Sequence, residues 1–421
     1  MPACKPIRLC GCLRYTGKIA LENFDYLIVG AGIVGLTVAW ELKRRDPATR
    51  IVILEKEADV GYHASGRNSG VLHSGIYYAA DTLKAKYCAT GAKRMREFAA
   101  EHGILCERSG KVIIATTQQD LITLDRLLKN ARDKGIRAEK LDASAIRQIE
   151  PHAYAYEAGI YSPDTAVIDS PGVVAKLRDL LRGQGVVIHF NTGVNAVDTH
   201  KGFVEANHQR YGYGYLFNCA GASADRVARF FNVGKEYALL PFKGLYYKLR
   251  PERAHLVKSN IYPVPDINLP FLGVHLTRVI SGDVYVGPTA IPAWGRENYG
   301  LLSGLHVGES ISIAWHLMQM YVADHQHFRE LVHLEMAKYS KANFLAAARK
   351  LVPEVRSDDL LPSNKVGIRP QLINLKEKRL EMDFVLEQTA DSLHVLNSIS
   401  PAFTSAFAFA EAIVDQHLRQ A

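Results

Sequence analysis

The chain lacks a membrane-spanning run near its start: the apolar stretch "YLIVGAGIVGLTVAW" is shorter than the roughly 20 residues that a spanning helix needs. Cysteine is scarce, six residues in 421. Cys4, Cys10 and Cys12 crowd the first stretch, while Cys88, Cys106 and Cys219 are scattered. That spacing excludes a paired zinc site or a disulfide framework and fits a reducing compartment. No internal repeat and no low-complexity tract is evident, so neither a solenoid nor a linker array is expected. No RNA- or DNA-binding motif appears, and the positive residues behind the formal net charge of +8 are spread along the whole chain. No specific nucleic acid partner is therefore expected.

What is present is a folding composition. With 48% hydrophobic and 22% charged residues, a chain of this length buries a sizeable core and is not disordered. Two large domains are expected. The first stretch, with Lys5, Arg8, Arg14 and Lys18 and no acid, imitates a signal sequence, yet the apolar run behind it holds a better-explained motif. Residues 1–23 are read as a leader without function.

After that leader, "FDYLIVGAGIVGLTVAWELKRR" reads as strand, glycine turn and helix, and "RIVILEKE" as a second apolar strand ending in an acid. Further on, strands such as "GKVIIATT" alternate with amphipathic helices such as "DLITLDRLLKNARDKGI", so the class is α/β. Residues 310–351 read as helices, and the tail as strand, turn and helix.

Gly30, Gly32 and Gly35 make a G-x-G-x-x-G pattern. Its glycines permit a tight turn, approach of the backbone to a pyrophosphate, and close packing of helix on strand. The pattern follows a strand, opens a helix and is answered about twenty residues on by Glu55, where a carboxylate accepts from ribose hydroxyls. A dinucleotide is expected, against the simpler reading of a tight turn. NAD and FAD share the half that such a site binds.

The stretch "SGRNSGVLHSGIYY", Ser65 to Tyr78, bears on that choice. An extended chain covers roughly 3.3 Å per residue, so the eighteen positions from Glu55 to His73 easily reach from the ribose end of a long dinucleotide to its reactive ring. Ser65, Asn68, Ser69 and Ser74 offer hydrogen bonds to phosphates and a polyol, and Gly70 allows close approach. A flexible surface loop is the plainer reading.

Together with "GAGIVGL" and "LEKE", the segments "GRNSGVLHSGIYY", "LKAKYCATGA", "PFKGLYYKL", "PFLGVHLT", "VGPTA" and "SPAFTSA" resemble the L-2-hydroxyglutarate dehydrogenase/oxidase family, within the D-amino-acid-oxidase-like flavoprotein superfamily. The match runs from about Phe24 to the end of the chain. The resemblance implies an α/β fold in which a doubly wound, Rossmann-like FAD domain (24–90, 150–228 and 350–421) is interleaved with an α+β substrate domain on a mixed sheet (91–149 and 229–349). It implies FAD as cofactor, with Gly221, Gly367 and Ser400 as further contacts, and oxidation of L-2-hydroxyglutarate to 2-oxoglutarate. An amine or amino-acid oxidase of the same fold, or a flavin-containing RNA-modifying protein, is the alternative.

Such a reaction moves a hydride from Cα to the flavin while a base takes the hydroxyl proton, a role suited to a side chain titrating near neutrality. Histidine is the natural candidate. His73 in the expected loop comes first, with His275 as substrate contact or second base. The superfamily also leaves open a covalent flavin link through His73. The two carboxylates of the substrate call for cationic and hydroxyl donors. Arg369 in "VGIRPQ" is the first choice, followed by Lys243, Tyr246, Thr404 and Tyr77. Against the family pattern, Lys243 stands where arginine is expected, Arg67 where histidine is more usual, and Leu245 where an acid is expected, which bears on the exact diacid.

The turn from Ser400 to Ser405 precedes a helix whose N–H groups favour negative charge on a reduced ring. His325, His327 and His333 lack the spacing of a metal site. Electrons pass to a quinone or another acceptor, and residues 310–351 suit either shallow membrane docking or an ordinary amphipathic pair over the substrate domain. The expected location is cytoplasmic, with peripheral attachment to the inner membrane left open, or mitochondrial in a eukaryote.

Overall fold

The computed structural model describes residues 21–266 and 271–419. Most of the expected leader lies outside them. Strand β1 (Leu21–Val29), helix α1 (Ile33–Arg45) and strand β2 (Ile51–Leu54) form the opening unit. The four residues of β2 are all buried, as a strand covered on both faces requires. β1 pairs in parallel with β2 and with the strand Gln209–Asn218, β2 with Val187–His189, and Gln209–Asn218 with Ser392–Asn397. Val29, Leu54 and Asn218 therefore end at one edge of the sheet, where an open α/β sheet has its binding crevice.

One face of this eight-stranded sheet is covered by α1 and by the helices Leu83–Glu101, Ser170–Gly183 and Ala402–Leu418. Leu36, Val38, Leu42, Met95, Leu177 and Phe409 fill that core. The other face holds a smaller cluster including Leu27, Val52, Leu216 and Phe231.

A second, ten-stranded sheet is mixed, with Asn260–Pro263 parallel to Lys111–Ile114 among antiparallel neighbours. Its spine is the pair Tyr237–Leu249 and Leu360–Asn374, antiparallel with Phe242 opposite Arg369 and Gly244 opposite Gly367. Helices Val307–Ala323 and Phe328–Ala337 pack on it through Ile313, Met320, Phe328 and Leu331, against Leu240, Phe242 and Ile373.

Sheet membership departs from the segment limits expected from sequence. Leu360–Asn374 and Ala158–Ser162 belong to the ten-stranded sheet. The helix Leu83–Glu101 runs past residue 90 while packed in the core of the other layer. The physical reason is that a strand's partner, not its neighbour in sequence, decides its layer: Leu360–Asn374 pairs with Tyr237–Leu249, and Ala158–Ser162 with Lys111–Ile114 and Glu139–Asp142.

A three-stranded sheet joins Val71–Leu72, Ala166–Ile168 and Cys106–Glu107. It replaces the flexible-loop reading of Ser65–Tyr78. Val71 to Ile76 are buried, because Val71 and Leu72 pair with Val167 and Ala166.

Candidate active site

A cavity of ≈ 630 Å³ runs from the carboxyl edge of the parallel sheet to the face of the ten-stranded sheet. That size is within the usual range for small-molecule and cofactor sites. At one end lie Glu55, Lys56, Thr192 and Gly193, and at the other Tyr246, Tyr262, His275 and Arg369.

The glycine turn is built by close approach. Gly30 has φ +101°, and a Cβ there would sit 2.6 Å from the Cys219 carbonyl oxygen. A Cβ on Gly35 would sit 2.0 Å from the Gly30 oxygen, so α1 rests directly on the turn. Glu55 braces the same turn, its carboxylate accepting from Ala31 N at 2.7 Å and Glu57 N at 2.9 Å. Ser65 Oγ accepts from Ile33 N at 2.9 Å. Two helices start at the cavity, α1 with Gly32 to Val34 and Ala402–Leu418 with Ser400 to Thr404. Both first turns aim N–H groups and positive dipole ends at whatever fills it.

Of the residues expected to hold the cofactor, Gly30, Gly32, Glu55, Ser65, Asn68, Ser69, Gly221, Gly367 and Ser400 line the cavity. Gly35, Gly70 and Ser74 do not. Gly35 serves the packing of helix on turn. Gly70 has φ +74° and abuts the Ile168 carbonyl, and Ser74 Oγ accepts from Ser162 Oγ at 3.0 Å. Asn68 has an internal duty as well: Oδ1 accepts from Gly70 N and Ser170 Oγ, each at 2.8 Å.

His73, His275, Arg369, Tyr246 and Thr404 come together on the cavity wall from segments far apart in the chain. Lys243 and Tyr77 do not reach it. Along Tyr237–Leu249, Phe242, Gly244 and Tyr246 face the cavity, and strand alternation turns Lys243 and Leu245 away. Lys243 Nζ donates instead to Asn298 Oδ1 at 2.8 Å and the Gly300 oxygen at 2.9 Å. Tyr77 lies behind the wall, its ring 4.4 Å from Lys111 Nζ. Arg67, the other departure from the family pattern, lines the cavity and rides on the Tyr299 ring at 4.2 Å.

The two histidines are buried. Nδ1 of His73 has no hydrogen-bond partner among the described residues. Burial, then the charge of Lys111 and then His275, pushes its pKa down to about 3. This departs from the expectation of a group titrating near neutrality, because desolvation disfavours the imidazolium. His275 Nδ1 is 2.9 Å from the Gly273 carbonyl oxygen, which only accepts, so Nδ1 carries the proton and Nε2 keeps its lone pair. The His275 ring is stacked on Tyr262 at 3.9 Å, and burial takes its pKa to about 4. Arg369 has its guanidinium 5.1 Å from the Phe271 ring centroid. Burial lowers it to about 10, which leaves it cationic at neutral pH.

Sequence reasoning passed over Lys111, Tyr262 and Glu335. Tyr262 and Glu335 line the cavity, and Glu335 accepts from Ala290 N at 2.7 Å and pairs with Lys338. Lys111 opens the strand of "GKVIIATT", where a lysine reads as a solvated strand end, yet it is 0% exposed. Near the cavity mouth, Glu57, His63 and Glu297 converge. They gather on the Lys56 ammonium, which pairs with Glu57 and lies 2.6 Å from Glu297. Arg296 and Arg226 are neutralised in turn, Arg296 by Asp225 and Arg226 by Glu309 at 2.6 Å.

A family profile described as "FAD dependent oxidoreductase" matches residues 25–416. The chain belongs to that family. It is 34% identical to "L-2-hydroxyglutarate dehydrogenase, mitochondrial" of Nematostella vectensis, over 94% of this chain and 90% of the relative. It is 32% identical to "L-2-hydroxyglutarate dehydrogenase" of Indibacter alkaliphilus, over 94% of this chain and 100% of the relative. Among solved structures, L-alpha-glycerophosphate oxidase from Mycoplasma pneumoniae with FAD bound superimposes with a TM-score of 0.74 at 21% identity, covering 95% of this chain and 94% of that one. That likeness bears on the fold.

The cofactor of this family member is FAD, and the cavity fits it. The close-packed glycine turn, the braced carboxylate of Glu55, two helix N-termini and the hydroxyls of Ser65, Ser69 and Ser400 form an elongated donor-rich track. Among the described residues, no helix is long and apolar enough to cross a membrane.

Proposed function

We propose that this oxidoreductase converts L-2-hydroxyglutarate to 2-oxoglutarate. The observation that carries the reading is the convergence of His73, His275 and Arg369 at one end of the cavity, in a chain whose curated relatives bear that dehydrogenase's name. FAD, when bound, supplies the acceptor for the hydride that leaves Cα. The chain's own groups bind, orient and deprotonate. Arg369, cationic and buried, pairs with a substrate carboxylate through a charge-assisted, two-pronged contact. His73, kept neutral by burial, takes the hydroxyl proton.

An imidazole held at about 3 is a weak proton acceptor until its surroundings change. A dianionic substrate brings that change, because negative charge in a desolvated pocket favours the imidazolium. Proton acceptance at His73 is thereby coupled to substrate binding. His275 presents a fixed Nε2 lone pair to the same space.

The electrons then pass to a membrane acceptor such as a quinone. On the helix Val307–Ala323, the side chains of Val307, Ile311, Trp315, Met318 and Val322 are all exposed at helical spacing. Leu301 and Leu302 are exposed beside that helix in the chain. This charge-free stripe suits shallow insertion into a bilayer surface. In a eukaryotic cell the corresponding location is the mitochondrion, as in the name of the Nematostella relative.

Anaerobic titration of the flavin tests the substrate. L-2-hydroxyglutarate should bleach the flavin absorbance, whereas glycine, D-alanine, sarcosine and glycerol 3-phosphate should leave it oxidised. Bleaching by one of the amines, with none by the hydroxy diacid, would transfer the chain to the amine-oxidase reading.

A further inference from the structure

Lys111 is fully buried, and its Nζ has no hydrogen-bond partner among the described residues. It sits instead against two aromatic rings, 4.4 Å from the centroid of Tyr77 and 5.1 Å from that of Tyr262. Tyr262 also carries the stacked ring of His275, the two planes 19° apart. Lys111 itself does not line the cavity, while Tyr262, His275 and His73 do. A buried ammonium gripped by π faces, with no carboxylate against it, is an expensive feature for a core strand. The same cation acts electrostatically on both His73 and His275.

We propose that Lys111 is a positioning residue for the reaction: its ammonium, clasped by Tyr77 and Tyr262 behind the cavity wall, adds to burial in disfavouring the charged forms of His73 and His275 and so sets how strongly they take a proton. The inference rests on the reading of His73 as proton acceptor. Lys111 touches neither substrate nor cofactor, and acts through the two imidazoles.

The direction of the charge effect supports the assignment. Burial lowers Lys111 from its ordinary 10.5 to about 7, with Cys88 opposing. The ammonium is therefore present at acid pH, where the histidines would otherwise charge, and fades above neutrality, where they have no tendency to. The groups facing these three are few. His73 meets Lys111, His275 and the Cys88 thiol, which donates to its carbonyl at 3.4 Å. His275 meets Lys111, Lys338 and the Tyr262 ring, and Lys111 meets Cys88, Tyr77 and Tyr262.

The test follows histidine ring nitrogens by ¹⁵N NMR in the FAD-loaded protein without substrate, as pH is lowered, with His73→Gln and His275→Gln assigning the resonances. In Lys111→Met the midpoints of both histidines should rise by about one pH unit, as expected for removal of a nearby like charge. Lys111→Arg should keep the wild-type midpoints. In parallel, the acid limb of the flavin-reduction rate should move upward in Lys111→Met by the same amount and stay in place in Lys111→Arg. Midpoints that do not move in Lys111→Met would overturn the proposal, even if the rate falls. Because the NMR readout needs no substrate, it stands or falls separately from the hydroxy-acid reading. Should Lys111→Met not fold, the wild-type protein carries the test: the His73 and His275 resonances must shift as Lys111 loses its proton, and their indifference to that titration would equally overturn it.

Discussion

The backbone N–H of His73 donates to Thr404 Oγ1 at 3.2 Å, across 331 positions of sequence. Thr404 lies in the first turn of the helix Ala402–Leu418, and its Oγ1 also approaches the Val71 carbonyl at 3.5 Å. The proposed proton acceptor and the positive end of that helix are thus held as one unit. The backbone of His73 cannot move away from that helix end without breaking a buried hydrogen bond.

His73→Gln removes the proton acceptor while keeping a polar side chain of similar reach. The flavin should stay bound, and its reduction by L-2-hydroxyglutarate should slow about 10²- to 10⁴-fold, the usual contribution of general base catalysis. Anaerobic stopped-flow absorbance measures both. Reduction at the wild-type rate would remove His73 from that role.

Arg369→Gln deletes a buried cation that the proposed mechanism sets against a substrate carboxylate. A charge-assisted hydrogen bond contributes about 1.5–3 kcal/mol, so the half-saturating substrate concentration for flavin reduction should rise about 10- to 150-fold. An unchanged concentration dependence would place the carboxylate elsewhere.

Gly91→Ala tests the packing beneath the site. A Cβ there would lie 2.5 Å from Ser405 Cα and 2.6 Å from the Thr404 oxygen, both backbone atoms that cannot step aside alone. The helices Leu83–Glu101 and Ala402–Leu418 must separate, at a cost of about 1–3 kcal/mol. Thermal unfolding should show a lower midpoint, and flavin reduction should slow because Thr404 moves. A variant with wild-type stability would show that the helices have room.

Acid should destabilise the fold through its buried histidines. His73 is pushed down to about 3 and His275 and His394 to about 4, against an unfolded value near 6.5. Below 6.5 the unfolded chain binds protons that the folded chain refuses, so the stability present above that pH is lost as pH falls toward the folded values. Each such group contributes a slope of about 1.4 kcal/mol per pH unit. Urea unfolding between about pH 4.5 and 7.5 should show the decline, and a flat profile across that window, set by those same shifts, would contradict it.

Ile311→Ser with Trp315→Ser removes two exposed apolar side chains of the stripe on Val307–Ala323. Co-flotation of the protein with mixed phosphatidylcholine and phosphatidylglycerol vesicles should fall, while flavin reduction by dissolved substrate should not change. Equal flotation of the variant and the wild type would direct the search for the electron-acceptor face elsewhere.

Much of this design is local and was legible in the sequence. The glycine turn between an apolar strand and helix, and the acid closing the next strand, determined a dinucleotide crevice through steric and hydrogen-bonding rules that operate over a few residues. Of the small polar stretch Ser65–Tyr78, Ser65, Asn68, Ser69 and His73 line the cavity, while Gly70, Ser74 and Tyr77 do not. Other features arise only when distant segments meet. Strand pairing decided that Lys243 and Leu245 face away while Tyr246 faces in. The pairing of Val71–Leu72 with Ala166–Ile168 turned an apparent surface loop into buried wall, and burial moved the histidines far below neutrality. Lys111 gave no sign in sequence, since a lysine at a strand end is ordinarily solvated. Its environment is set by Tyr77 on one side and Tyr262 on another, and desolvation and charge are sums over neighbours that only the tertiary fold assembles.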